Sequence, residues 1–226
     1  METKIISIVG EKGGIGKTTL NILLASELRY ARGKKVVLLD MDDPQYSIYK
    51  KRNRELQLLE TEERGQKDVY PIEPVTVATI QKTVLEYYGR VDYIIMDLPG
   101  SLNLEMVKGL LYVEHVFIPF GHDELEIDST SNFYLTLKNN FLDNDQRVLK
   151  SINLFFNKYK LVRKNRFSEL RQQFRDATIP MMESVVKDKI IYKEQYRNTL
   201  YPIPEGKEEG EKELKSFFEE VIKLVN

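Results

Sequence analysis

The segment Lys12-Gly13-Gly14-Ile15-Gly16-Lys17-Thr18-Thr19 constrains this chain more than any other. Its glycines let the main chain pass where a Cβ would block it. An apolar run, Lys4 to Val9, leads into it, and a helical apolar pattern, Lys17 to Arg32, leads out. A strand that turns through glycines into a helix aims backbone N–H groups and the positive end of the helix at one point, and phosphate suits that point. In such a loop Lys17 contacts the β- and γ-phosphates, the Thr18 hydroxyl ligates Mg²⁺ and Thr19 donates to the α-phosphate, while Gly13, Gly14, Ile15 and Gly16 wrap the anion with main chain. The competing reading, a tight glycine turn with exposed lysines, leaves the flanking strand and helix unexplained.

The rest of the chain repeats the same alternation. Apolar runs at Val36–Asp40, Tyr93–Asp97, His115–Phe120 and Ser151–Asn157 are interleaved with helical patterns near Val75–Tyr88 and Glu126–Leu142. Such runs, rich in Val, Ile and Leu with little alternation, belong to strands covered on both faces. They predict a doubly wound α/β fold with a mostly parallel sheet and helices on both sides. One domain, residues 1–226, is expected, with a charged excursion over Lys50–Asp68, weak strand signals in Ala177–Val186 and an acidic connection over 202–210. A terminal helix, Glu211–Val225, carries apolar residues at 214, 217, 218, 221, 222 and 225, a stripe for core packing. On its polar side four glutamates outnumber three lysines, which argues against an anionic membrane surface.

Thirty-four Lys and Arg against thirty-five Asp and Glu give no general attraction for a polyanion, so any such site must be local. Cysteine is absent, which excludes disulfides, thiolate-held clusters and a Cys nucleophile. No run reaches the length a membrane span needs, and the reading predicts a soluble, cytoplasmic chain.

Carboxylates stand where the apolar runs stop, on the edge of a parallel sheet that faces ligand. Asp97, followed by Leu98-Pro99-Gly100, is placed to hold Mg²⁺ through water, and Gly100 to offer a backbone N–H that senses the γ-phosphate; a strand-end Asp capping the next helix is the plainer alternative. Asn157-Lys158-Tyr159-Lys160 occupies the place of an N-K-x-D guanine reader, but Lys160 has no acceptor for guanine N–H groups. That favours adenine, hence ATP, with Asn157 on the base edge or serving as a buried structural amide.

In the strict G-x-x-x-x-G-K-[ST] pattern Glu11 occupies the first glycine position, and Lys12 heads the loop instead. A K-G-G-x-G-K-T loop with that second lysine resembles the deviant Walker A loop of the ParA/MinD family of P-loop ATPases. Asp40-Met41-Asp42-Asp43-Pro44-Gln45 resembles the family's D-x-D-P-Q segment with one residue extra. The resemblance implies an ATP-bound homodimer in which Lys12 crosses to the partner's phosphates, Asp42 positions or activates the attacking water and Asp40 supports the Mg²⁺ shell. An acidic turn is the alternative for that segment alone. The D-x-D-x-P-Q-x-S-I and D-L-P-G segments are similar to ParA-like proteins of conjugative elements, known as conjugal transfer protein TraA. The family role so implied is a slow ATPase, stimulated by a protein partner, in DNA partition or conjugative transfer. Iron-protein relatives are excluded by the missing cysteines, and tyrosine-kinase relatives by the lack of a C-terminal tyrosine cluster.

Non-specific duplex DNA has one local candidate, the cationic stretch containing Lys158, Lys160, Arg163, Lys164, Arg166, Arg171 and Arg175. The bland counterpart is a helix face whose cations pair with the acidic tail at Glu205–Glu213. Two other classes stay open at this level: a metabolic ligase or kinase acting on a small acid, and a regulator that binds nucleotide without hydrolysing it.

Overall fold

The computed structural model describes residues 2–61, 68–144, 148–160, 163–204 and 209–226. Strands β1 (Lys4–Ile8), β2 (Val36–Asp40), β3 (Ile72–Pro74), β4 (Tyr93–Asp97), β5 (His115–Phe120), β6 (Ser151–Tyr159) and β7 (Met181–Lys187) form one sheet in the order β3-β2-β4-β1-β5-β6-β7. Every pairing is parallel. The chain builds outward from β1 on one side, returns to β4, and then builds outward on the other. The strand-order reversal therefore falls beside β1, where open α/β sheets leave a crevice at the carboxyl ends of the strands.

Helices α1 (Lys17–Ser26), α2 (Ser47–Thr61), α3 (Ile80–Tyr87), α4 (Leu104–Leu110), α5 (Glu124–Leu137), α6 (Lys164–Asp176) and α7 (Glu209–Val225) cover the sheet. Successive strand residues point to opposite faces, so each strand feeds two cores. Val37, Leu39, Ile94 and Met96 pack with Val84, Met106, Phe133, Leu137, Phe167 and Phe174, contributed by α3 to α6. Val36, Leu38, Ile95 and Phe155 pack with Leu20, Leu23, Phe217, Phe218 and Val221, contributed by α1 and α7. This is the expected doubly wound arrangement, and the sheet is wholly parallel.

The boundaries depart from expectation where local chemistry overrides apolar periodicity. The helix expected from Val75 begins at Ile80, because Val75 still donates its N–H to Asp40 at 2.9 Å as an extension of β3. The Lys17–Arg32 pattern ends its regular helix at Ser26 and continues as a wider π-type turn over Glu27–Ala31. Helix α5 starts at Glu124, two residues early, with Asp123 accepting from the Glu126 N–H at 3.2 Å as its cap. The described part of the charged excursion is α2, and residues 62–67 of it lie outside the described residues. So do residues 205–208 of the acidic connection. Strand β3 and helix α4 were not anticipated, and α6 is the helix face offered as the bland reading of the cationic stretch. Among the described residues no helix is long and apolar enough to cross a membrane.

Candidate nucleotide-binding site

The glycine loop lies between β1 and α1 at the crevice. Gly14 and Gly16 have φ of 73° and 98°, a region that strains any residue with a Cβ. Gly16 is the N-cap of α1 and brings no side-chain cap, so the first turn opens its N–H groups toward the crevice. Lys17 is buried, and its ammonium donates to the Lys12 carbonyl at 2.7 Å. Burial pushes its pKa down, and the charges of Asp97 and Asp42 oppose that shift. Gly100 stands against the same ammonium: a Cβ there would lie 3.3 Å from Lys17 Nζ. The expected phosphate lysine and the expected switch glycine therefore meet in space.

Asp97 accepts from the Thr18 hydroxyl at 2.9 Å on one oxygen and from the Asn21 amide at 2.7 Å on the other. Asn21 is itself held by β1, accepting from the Ile8 N–H at 3.2 Å. Burial lifts the Asp97 pKa to about 7, with the Asn21 and Thr18 hydrogen bonds opposing it. Asn21 was missed by the sequence reading. Its signal is an amide on the otherwise apolar, fully buried side of α1, three residues after Thr18. Thr18 and Asp97 supply two hard oxygen donors, and no group of three or more His, Cys, Asp or Glu among the described residues forms a metal cage. That sparse oxygen set fits Mg²⁺ carried by a nucleotide, since Mg²⁺ takes one or two protein oxygens and fills its octahedron with phosphates and water. When bound there, Mg²⁺ would neutralise phosphate charge.

Asp40 and Asp42 separate in role. Asp40 is fully buried; one oxygen accepts from the Ile48 and Tyr49 N–H groups at 2.9 and 3.1 Å, the other from the Asp42 N–H at 3.3 Å. These bonds describe a cap on α2 that also fixes the turn carrying Asp42, where the sequence reading expected support of the Mg²⁺ shell. Asp42 is half-buried, and among the described residues its carboxylate has no hydrogen-bond partner. Its charge reaches both Lys17 and Asp97. The half-buried Lys12 likewise has no partner for its ammonium among the described residues.

Beside the loop opens a cleft of about 270 Å³ lined by Lys12, Ile15, His122, Asn157, Lys160 and Asp188 among others. Asn157 borders it, but its amide is engaged: Nδ2 donates to the Ile15 carbonyl and Oδ1 accepts from the Lys158 N–H at 2.9 Å. Lys160 forms an ion pair with Asp188 at 3.4 Å. The cleft thus contains a carboxylate that the sequence reading, looking only at position 160, did not see.

The cationic stretch is mostly neutralised. Arg171 and Arg175 both pair with Glu183 of β7, and Arg166 pairs with Glu124 and Glu169 at 3.4 and 3.7 Å. Among the described residues these arginines pair with β7, α5 and α6, and Glu213 pairs with Lys187 at 2.7 Å; residues 205–208 of the acidic tail lie outside the described residues. Among the described residues, Arg163 and Lys164 alone of the seven have neither an ion pair nor a side-chain hydrogen bond.

A family model described as an AAA domain, AAA_31, matches residues 3–87. The chain is 30% identical over 166 residues to the sporulation initiation inhibitor protein Soj of Bacillus subtilis, an alignment spanning 60% of this chain and 65% of that one. The MinD cell division protein of Aquifex aeolicus has a similar structure, with a TM-score of 0.73 at 20% identity over 98% of this chain and 97% of that one. A plasmid-partition candidate from Borrelia burgdorferi B31, solved with AMPPNP bound, gives a TM-score of 0.66 at 21% identity over the whole of both chains. Taken with the lysine-headed glycine loop and the strand order around β1, these similarities show that the chain shares the fold of the ParA/MinD P-loop proteins.

Proposed function

We propose that this chain is an ATP-binding and ATP-hydrolysing switch that dimerises on ATP and, as a dimer, engages duplex DNA or a protein partner in partition or conjugative transfer of a mobile element. The observation that carries this reading is Lys12, an ammonium at the head of the phosphate loop with no partner of its own among the described residues. A solvated ammonium contributes little within one chain, and it becomes useful where a second subunit brings phosphate to it.

Each residue then has a task. The N–H groups of Gly13 to Thr18 bind and orient the phosphates. Lys17 leaves the Lys12 carbonyl for phosphate oxygen, and Thr18 with Asp97 holds the oxygen donors for Mg²⁺. Asp42, held by Asp40 at the crevice edge, orients the attacking water and takes its proton. Gly100 lets its peptide approach the γ-phosphate beside Lys17. After hydrolysis that contact is lost and the dimer separates, so the slow reaction times the dimer's life, with a stimulating partner setting the rate.

The test is retention of duplex DNA by Asp42→Ala protein with ATP, ADP or GTP at two salt concentrations, with Lys17→Ala as the control. Retention only with ATP, weakened by salt, is expected, because counterion release makes such binding salt-dependent. ATP binding without retention under any condition removes DNA and leaves a protein partner. Turnover that requires a small carboxylic acid overturns the switch in favour of a ligase or kinase. GTP acting as well as ATP overturns the adenine assignment, which the carboxylate of Asp188 in the cleft makes a real alternative.

A further inference from the structure

We infer that Lys158 is a positioning residue of the phosphate loop: with Asn157 it grips two consecutive loop carbonyls from outside and so keeps the loop's N–H groups turned inward. This rests on the nucleotide-binding reading above and moves Lys158 out of the DNA patch.

A loop that binds phosphate through its N–H groups must turn its carbonyl oxygens away from the anion, and those oxygens need donors of their own. Here they have them. The Asn157 amide donates to the Ile15 carbonyl, and the Lys158 ammonium donates to the Gly14 carbonyl at 3.0 Å. On the other flank Lys17 holds the Lys12 carbonyl. The Lys17 bond breaks when phosphate arrives, whereas the Asn157 and Lys158 bonds face away from the anion and persist.

The end of β6 is shaped for this grip. Its pairing with β7 shifts register between Phe156 and Tyr159, a bulge at 157–158, and bulges re-aim side chains next to functional sites. Lys158 lies at φ 54°, a conformation that β-strand residues do not adopt without compensation. The compensation is the Asn157 side chain, which accepts the Lys158 N–H at 2.9 Å and thereby ties the bend to the same amide that holds Ile15. Gly16 completes the fit, since a Cβ there would lie 3.3 Å from Asn157 Nδ2. The bulge with its left-handed residue, the paired amide and the missing Cβ converge on one contact between β6 and the loop.

The consequence is specific. Losing the Lys158 ammonium loosens the loop for any nucleotide that relies on it, with or without a γ-phosphate. DNA contact would instead be lost with nucleotide affinity intact. The experiment measures ATP, ADP and adenosine binding by the full chain as wild type, Lys158→Met and Lys158→Arg, with thermal melting as the folding control, and duplex-DNA retention at saturating ATP. Lys158→Met is expected to weaken ATP and ADP equally, by about fivefold through faster release, as fits an exposed charge-assisted hydrogen bond. Adenosine binding and saturated DNA retention stay unchanged, and Lys158→Arg restores most of the affinity. Unchanged ATP and ADP affinity overturns the inference, and reduced DNA retention alongside it returns Lys158 to the DNA patch. If wild-type protein binds no nucleotide, the proposed function itself fails.

Discussion

At the residue scale, two lysines share one loop, and the structure separates them by what each touches. Lys17 is buried and bonded, whereas Lys12 is half-exposed and unpartnered among the described residues. Lys17→Ala should therefore abolish ATP binding in a fluorescent-nucleotide titration. Lys12→Ala should leave monomer affinity within about twofold, because a solvated ammonium contributes little on its own. Equal loss in both variants would contradict the division of labour. Asn21 is the second residue whose role depends on its contacts: it bridges Asp97 to the Ile8 peptide from a fully buried position. Replacing it with Ala strands a buried carboxylate and a buried N–H, and should cost about 1–3 kcal/mol in urea unfolding. The same variant should slow Mg²⁺-dependent turnover by releasing the Asp97 side chain. Wild-type stability and turnover would show that the bridge is incidental.

At the scale of elements, α2 links the turn that carries Asp42 to the C-terminal third of the chain. Its start is capped by Asp40, and one turn further on Arg52 is buried, donating to the Thr199 hydroxyl at 2.6 Å, the Thr199 carbonyl at 2.8 Å and the Tyr70 carbonyl at 2.6 Å. Glu55 accepts from the Thr199 N–H at 2.9 Å. Arg52→Ala should remove about 2–4 kcal/mol, since it leaves buried acceptors unpaired. In a chain of this size that is a fall in melting temperature of roughly 5–15 °C. A melting point within a degree or two of wild type would dismiss the knot.

That knot also shows which elements were legible in advance. The strands that end in Asp40 and Asp97 were read with their observed bounds, because they are continuous apolar runs closed by a carboxylate. The glycine loop was legible because its chemistry is contiguous. What escaped was decided by distant partners. Strand β3 has three residues and exists through pairing with β2, and the Arg52 contacts join residues 147 apart in sequence. Asn157 was singled out for a base edge, yet its amide is taken up by a loop 142 residues earlier, which no local pattern reports.

For the molecule as a whole, stability and assembly are the measurable properties. His115, at the foot of β5, is buried with Nδ1 against the Ser151 hydroxyl at 2.9 Å and, among the described residues, no partner for Nε2. Burial pushes its pKa below the usual 6.5; Lys150 and Lys4 add to that, while Glu114 and Glu2 oppose it. Below about pH 6.5 the unfolded chain takes up a proton that the folded chain resists, so stability is complete above that pH and declines as pH falls. His115→Gln should flatten the change in urea stability between pH 7.5 and 5.5, and an unaltered slope would assign the acid sensitivity to other groups.

On the proposed function, the lysine-headed loop completes its site only when two subunits meet around ATP. The direct measurement is the molar mass in solution, by size-exclusion chromatography with light scattering, of Asp42→Ala and of the Lys12→Ala, Asp42→Ala double variant, each with Mg-ATP and with Mg-ADP. A dimer is expected for Asp42→Ala with ATP only, and a monomer for the double variant in both nucleotides although it still binds them. A dimer that forms regardless of nucleotide, or one that persists without Lys12, would contradict that reading.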